Sequence, residues 1–492
     1  MSEAQGVGVG DVQELPSALS RRPRNMIRDG LRFCALEALV VGGMFAVTET
    51  WLVPLLQTWL GAATAVIGLL TVIPQLTGIG IGPWSQILIK ACGGNRRTAL
   101  LAAGIQVLCL AGLSLPLHAQ GQPWAVPLAA TLIVVFGVVG VINAPAWIAW
   151  MGGLIPRPVM GRFTGWRNRL FHSSRLACAA AFAGIIYLLP LHDGPHPGPW
   201  GLQVLLLLAT ASRLASVAML WRQPVPPDRP ELRGGISQQH VVEPGGLLGF
   251  VRTLPRTLLG RWTLVWALLH LGVMIAGPFF ASYMLLPMVG GGLGLGDHPF
   301  LFTMLIYTST VARLITYPAA GRLVDIHGPA AVLRVAVVLI TLIPIGWVAS
   351  STLWVIMCFE VLSGIAWGLA ESAVGPLLFS CDRDPQRRAQ LVAWHQSVVL
   401  ACVVVGSGIG TLLVSAPWLP VITGSSFHTL FLVSMLIRIP AVVLALRLLP
   451  RLKDLPHDDD GHGKLWRLIP GAGLSLTVGR GLGGVFKWVE GK

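Results

Sequence analysis

Glu49, Arg313, Glu360 and Glu371 stand inside stretches of the chain that are otherwise apolar. A charged side chain at the centre of a bilayer costs about 3 kcal/mol or more, so such groups face one another, a water-filled path or a charged solute. The chemistry open to them is ion pairing, proton exchange and recognition of charge. Glu49 lies between Thr48 and Thr50, and Arg313 follows the polar patch Tyr307, Thr308 and Ser309. Glu360 and Glu371 are eleven residues apart. At 100° and 1.5 Å per residue they share one helix face to within about 20° and sit about 16 Å apart along it.

For Glu49 and for Arg313, substrate or proton coupling and structural pairing between helices both stand open, and a Glu49–Arg313 pair is geometrically conceivable. Glu37 lies near the end of its run, where it could pair with Arg32 or reach the interface. Gln75 and Asn143 either line a path or bond between helices. His270 and His395 have the type of side chain that carries protons near neutral pH, although packing with one satisfied ring nitrogen serves either equally. Arg213 and Arg438 occupy equivalent places in two separate runs and read as structural.

Reactive constellations are scarce. The seven cysteines include no close pair with metal-ligand spacing, and most fall inside apolar runs. The string His457-Asp458-Asp459-Asp460-Gly461-His462 has metal-capable types in a polar tail without a scaffold. Gly479 to Gly484 lacks the Lys-Ser/Thr ending of a phosphate-binding loop. These features point away from an enzyme, and away from any cofactor or bound metal.

The elements that must position the buried charges follow from composition. Of 492 residues, 54% are hydrophobic and 11% charged, with mean hydropathy +0.71; water-soluble domains carry about 25% charged residues. The net charge of +14 is spread over short loops rather than one solvated face, which argues against a nucleic-acid partner. Apolar runs long enough to span a bilayer lie near 33–57, 63–86, 98–117, 125–151, 170–190, 202–221, 263–288, 300–320, 331–349, 353–379, 391–415 and 427–449. Backbone polar groups in hydrocarbon must be satisfied within the segment, so these twelve runs are helices. The fold class is all-α, a polytopic membrane protein.

Lys and Arg alternate by side. They occupy the tail before the first run, the loops after the even-numbered runs and the final tail, and the six intervening loops have none. The positive-inside rule therefore predicts both termini in the cytoplasm of an inner (plasma) membrane protein. About thirty polar residues precede the first run, so no cleavable signal peptide is expected. A Pro-rich stretch, 222–262, separates two sets of six spans, 33–221 and 263–449, flanked by tails 1–32 and 450–492. Landmarks recur across it: Arg32 and Arg261 before the first helix of each set, Asn143 and Glu371 in the fourth, and Arg213–Arg222 and Arg438–Arg447 in the sixth, nine residues apart in both. The tail segment Leu465 to Val489, with Trp466 and Trp488, has a composition suited to a membrane surface.

Two consecutive six-helix sets resemble the architecture of the major facilitator superfamily. The stretch Gly321-Arg322-Leu323-Val324-Asp325-Ile326-His327-Gly328 resembles that family's G-x-L-x-D-x-x-G loop between its eighth and ninth helices. Asn143-Ala144-Pro145-Ala146-Trp147 followed by Gly161-Arg162-Phe163-Thr164-Gly165 is similar to a loop in bacterial members. The corresponding first-half loop departs from the pattern, with Lys90 where the signature acid would stand, and the marks of proton-coupled drug antiporters are missing. The resemblance implies a secondary transporter that works by alternating access on a small-molecule substrate with a coupling proton or ion, as a monomer. It also implies a cytoplasmic latch formed by Gly321, Asp325 and Gly328, for which Arg387 or Arg388 is the expected partner. The pathway candidates are Glu49, Thr48, Gln75, Asn143, His270, Arg313, Glu360 and Glu371. The alternative is a non-transporting sensor or assembly factor on the same scaffold.

Overall fold

The computed structural model describes residues 21–450 apart from 53–54, 63, 82–83, 190, 194–195, 226–245, 296–297, 415–420 and 422–424. The strings at 457–462, 465–489 and 479–484 lie outside these residues. Twelve long helices run through the described chain: α1 Arg21–Thr48, α2 Thr64–Ile81, α3 Asn95–Gly112, α4 Ala125–Leu154, α5 Met160–Leu188, α6 Pro199–Arg222, α7 Leu258–Ala276, α8 Pro299–His327, α9 Pro329–Ala349, α10 Leu353–Phe379, α11 Pro385–Val414 and α12 Ser426–Leu448. Four of them begin on a proline, where the missing N–H is one the helix would leave unpaired anyway. Nine helices among the described residues are long and apolar enough to cross a membrane, and α2, α5 and α8 run among them. The protein is an all-α, multi-pass membrane protein.

The helix contacts repeat. α1 packs on α5 and α6, α4 on α2 and α3, and α3 on α6. Adding six to every number gives the second set: α7 on α11 and α12, α10 on α8 and α9, and α9 on α12. Between the halves, α5 packs on α8 and α10, and α11 on α2 and α4, again a matched set. The two bundles therefore meet across a pseudo-twofold seam.

Helix ends differ from the sequence expectation in four places. α1 begins at Arg21 rather than 33, because the basic tail continues the helix beyond the apolar run. It ends at Thr48, so Glu49 lies just past the helix and not well inside it. α5 begins at Met160, so the Arg-bearing stretch 162–175, expected largely as a loop, is helical. α8 continues to His327, which puts Gly321, Arg322 and Asp325 in its last turns. The reversal into α9 is made at Gly328, whose φ of 81° favours glycine, followed at once by Pro329. In the stretch expected as a linker, Gly246–Thr253 forms a helix whose Phe250 packs on Trp394 of α11, ring centroids 5.7 Å apart.

The seventh span breaks. α7 stops at Ala276, a short 3-10 turn covers Gly277–Phe279, and a second segment runs Phe280–Leu285. Pro278 cannot donate to the carbonyl of Met274, which releases the helix there.

Candidate functional site

The α5–α8 contact positions the first group of charges. Gly161, Gly165 and Gly321 let the two backbones approach closely: a Cβ on Gly161 would stand 2.6 Å from the Gly321 carbonyl oxygen, and one on Gly321 2.7 Å from that of Gly161. Small residues at four-residue spacing permit such an approach between membrane helices. At the end of the bundle where the Arg-rich loops lie, Asp325 reaches from the last turn of α8 to the first turn of α5. Its Oδ1 accepts from the Gly161 N–H (2.6 Å), its Oδ2 accepts from the Arg162 N–H (3.0 Å), and Arg162 Nε lies 3.3 Å from Oδ2. A carboxylate here satisfies two unpaired N–H groups of α5 and complements its dipole.

The partner of Asp325 is thus Arg162, not Arg387 or Arg388. Arg387 faces Asp382 at 3.4 Å. Arg388 donates to the Asp382 carbonyl from Nε (2.9 Å) and, across the seam, to the Ala149 carbonyl of α4 from Nη1 (2.8 Å). The residues before α11 form a helix start that turns back on itself, so its guanidinium groups are used locally and toward α4. Trp147 of α4 against Phe379 of α10, centroids 6.0 Å apart, completes the closure of this end.

About half-way along α8 the second group gathers. Arg313 is the fifteenth of the 29 residues of α8. Its Nη1 donates to Glu371 Oε1 of α10 at 3.0 Å, and its Nη2 to Ser309 at 3.3 Å. The Tyr317 hydroxyl donates to the other carboxylate oxygen. From the opposite half, His172 Nε2 of α5 lies 3.5 Å from Glu371 Oε2, and its ring stacks on Tyr317 with centroids 5.5 Å apart. Asn168 Nδ2 donates to the Glu371 carbonyl oxygen at 3.4 Å. One carboxylate is therefore shared by both halves.

The remaining candidates are dispersed. Glu49, half-exposed, pairs with Arg175 of α5 at 2.6 Å and not with Arg313; Thr48 is the last residue of α1 beside it. His270 has Nδ1 on the Trp266 carbonyl (2.9 Å) and its ring among Trp266 and Trp367. His395 is buried against Trp262 and bonded to Thr263 (2.9 Å). Gln75 is half-buried on α2, and the buried Oδ1 of Asn143 has no hydrogen-bond partner. Glu360 lies on α10 in a cavity with Arg313, away from the seam.

Glu37, read as an interfacial group, is the centre of a buried network. Arg167 reaches its Oε2 (2.9 Å), Ser216 its Oε1 (3.0 Å), and Arg213 joins Ser216 (3.0 Å) to Gln106 (2.6 Å). The Arg167 guanidinium also lies 4.5 Å over the Trp147 ring.

Sequence reasoning missed His172, Tyr317, Asn168, and the partner roles of Arg162 and Arg175. Their signal was periodicity: Gly161, Gly165, Asn168, His172 and Arg175 recur at three- and four-residue steps, one face of a helix.

No protein-family model and no curated protein sequence matches the chain. Solved structures do. A bacterial homologue of the iron transporter ferroportin, in an outward-facing state, superposes with TM-score 0.63 at 16% identity, over 85% of this chain and 98% of that one. The fold is shared with solved transporters of the major facilitator superfamily. The proton:xylose symporter XylE, bound to 6-bromo-6-deoxy-D-glucose, gives TM-score 0.63 at 14% identity over 87% and 96% of the two chains. FucP in the outward conformation gives 0.62 at 13% over 85% and 99%. In this major facilitator fold the contacts between α5 and α8, and between α2 and α11, form the seam between the bundles.

Proposed function

We propose that the chain is a secondary transporter that moves a small solute by alternating access, with Glu371 and His172 as its proton-coupling pair. The observation that carries this reading is that one carboxylate, half-way through the bundle, holds Arg313 and Tyr317 of its own half and His172 of the other. A charge paired inside one bundle is unaffected when the bundles move. A charge shared across the seam changes partners, and an equilibrium shifts only when a ligand binds its two states differently. A proton is such a ligand: on Glu371 it removes the negative charge that attracts His172, and so favours separation of α5 from α10.

Loop charge makes the Arg-rich end cytoplasmic, so both termini face the cytoplasm of an inner membrane and the Asp325–Arg162 contact is a latch on that side. Rocking of the two halves then breaks the latch and the Gly161–Gly321 approach together. The solute and the proton are the partners required, and a single chain contains both halves of the machine.

The test is purified protein in liposomes with an imposed pH gradient. Solute-dependent proton movement that is lost in Glu371→Gln supports the reading. A stable complex with another membrane protein, and no flux under any gradient, contradicts it.

A further inference from the structure

A partly open cavity of about 290 Å³ is lined only by residues of the C-terminal half, from α7 to α10 and α12, with Gly277 and Phe280 of the broken seventh span on its wall. Its charged walls are not balanced as those of the N-terminal half are. Arg438 of α12 is 3% exposed. It donates to two neutral acceptors, the Ile340 carbonyl (2.9 Å) and Ser434 Oγ (2.7 Å), and its Nε has no partner. No described carboxylate lies within ion-pair distance of it. Arg213, at the matching place of α6, also has neutral acceptors and an unpartnered Nε, but one of those acceptors, Ser216, links it to Glu37. Glu360, half-buried on the α10 wall of the same cavity, also has no ion pair. Its polar neighbours are Ser309 and Trp347, and the nearby Arg313 is already bonded to Glu371.

The cavity therefore holds one unpaired guanidinium and one unpaired carboxylate, with apolar side chains and the indoles of Trp347 and Trp367 between them. Charges taken out of water without a partner are costly, and the cost is recovered when a ligand supplies the counter-charges. An anion alone would meet Glu360, and a cation alone would meet Arg438 and Arg313. A molecule with both charges satisfies each wall. The volume equals roughly ten waters of liquid, enough for a solute of about ten non-hydrogen atoms. We infer that this cavity binds a small zwitterion with an apolar body, its carboxylate on Arg438 and its ammonium on Glu360. The inference goes beyond the transporter reading: a site built within one bundle keeps its charges when the bundles move, so binding there is separate from the coupling at Glu371.

The test is ligand-induced unfolding shift of the full chain in detergent, with matched probes. The zwitterions are L-phenylalanine and 6-aminohexanoate, and each is compared with its amine (phenethylamine, hexylamine) and its acid (3-phenylpropionate, hexanoate). The expected result is that at least one zwitterion binds tenfold or more tightly than both of its half-charged analogues. Glu360→Gln then removes the advantage over the acid and leaves the acid's affinity unchanged or better. Arg438→Lys, which keeps the buried charge, weakens the acid as well as the zwitterion. Half-charged analogues that bind as tightly as the zwitterions overturn the inference, as does a natively folded protein that none of the probes shifts. No gradient is involved, so failure here leaves the flux test standing, whereas binding without flux removes the transporter reading and keeps the site.

Discussion

The two halves share one helix arrangement and treat their buried charges in opposite ways. In the N-terminal half, Glu37, Arg167, Ser216, Arg213 and Gln106 form one connected network around a paired acid. It divides the apolar core in two: a cluster around Leu55, Leu110 and Leu205 on one side, and one around Leu31, Trp150 and Phe163 on the other. In the C-terminal half the main core is continuous from Trp262 to Leu449. Its charges face the cavity, as Glu360 and Arg438 do, or the seam, as Glu371 does. A connected network holds a bundle rigid, and open charges can answer to a proton or a solute. Under the transporter reading, the first half would serve as the scaffold and the second as the part that responds.

The comparison breaks most readily at Glu37. Replacing Glu37 with Gln leaves Arg167 and Arg213 buried without their acid, and a loss of about 3–5 kcal/mol of stability is expected, read as a fall in the thermal unfolding midpoint. Glu360→Gln breaks no ion pair and is expected to cost under about 1 kcal/mol; equal losses at the two sites would erase the distinction between the halves. For flux the largest effect belongs to Glu371→Gln, which should reduce gradient-driven uptake at least tenfold; because it also leaves Arg313 without its acid, a fall in the unfolding midpoint is expected alongside. Next in size is the seam itself. Gly161→Val places a side chain against the Gly321 carbonyl, and a several-fold rise in thiol labelling from the Arg-rich end is expected, with Asp325→Asn giving a smaller rise in the same direction. The smallest effect belongs to Glu49→Gln. Its pair with Arg175 is half-exposed, so a stability change below about 1 kcal/mol and an uptake change under twofold are expected.

The spans, their number and the twofold repeat were legible because the bilayer dictates them: length, apolarity and loop charge each leave a mark in one sequence. Helical period alone suggested one face for Glu360 and Glu371, whereas Glu360 lines the cavity and Glu371 meets His172 at the seam. Helix ends were not legible, because the polar ends of α1, α5 and α8 continue helical beyond their apolar runs. That error carried over to the site. Starting the fifth span at 170 hid the continuous face on which Gly161, Gly165 and Asn168 fall in register with His172 and Arg175, and a loop reading of 321–328 hid the docking of Asp325 on the start of α5. Partner choice across the seam depends on which helices the halves present to each other. Hydropathy says nothing of that, which is why Arg387 and Arg388 were chosen over Arg162, and Arg313 over Arg175.

The central claim is that the seam at the Arg-rich end opens and closes under control of the shared carboxylate. It is tested most directly by spin labels on Lys90→Cys and Arg383→Cys, exposed positions at that end in opposite halves, in a cysteine-depleted background reconstituted in lipid. Pulsed electron resonance then reads the distance between them as a function of pH. The account predicts two distances whose populations exchange as pH falls, and a population fixed at all pH values in Glu371→Gln. A single distance at every pH, or an exchange that persists unchanged in Glu371→Gln, would contradict it.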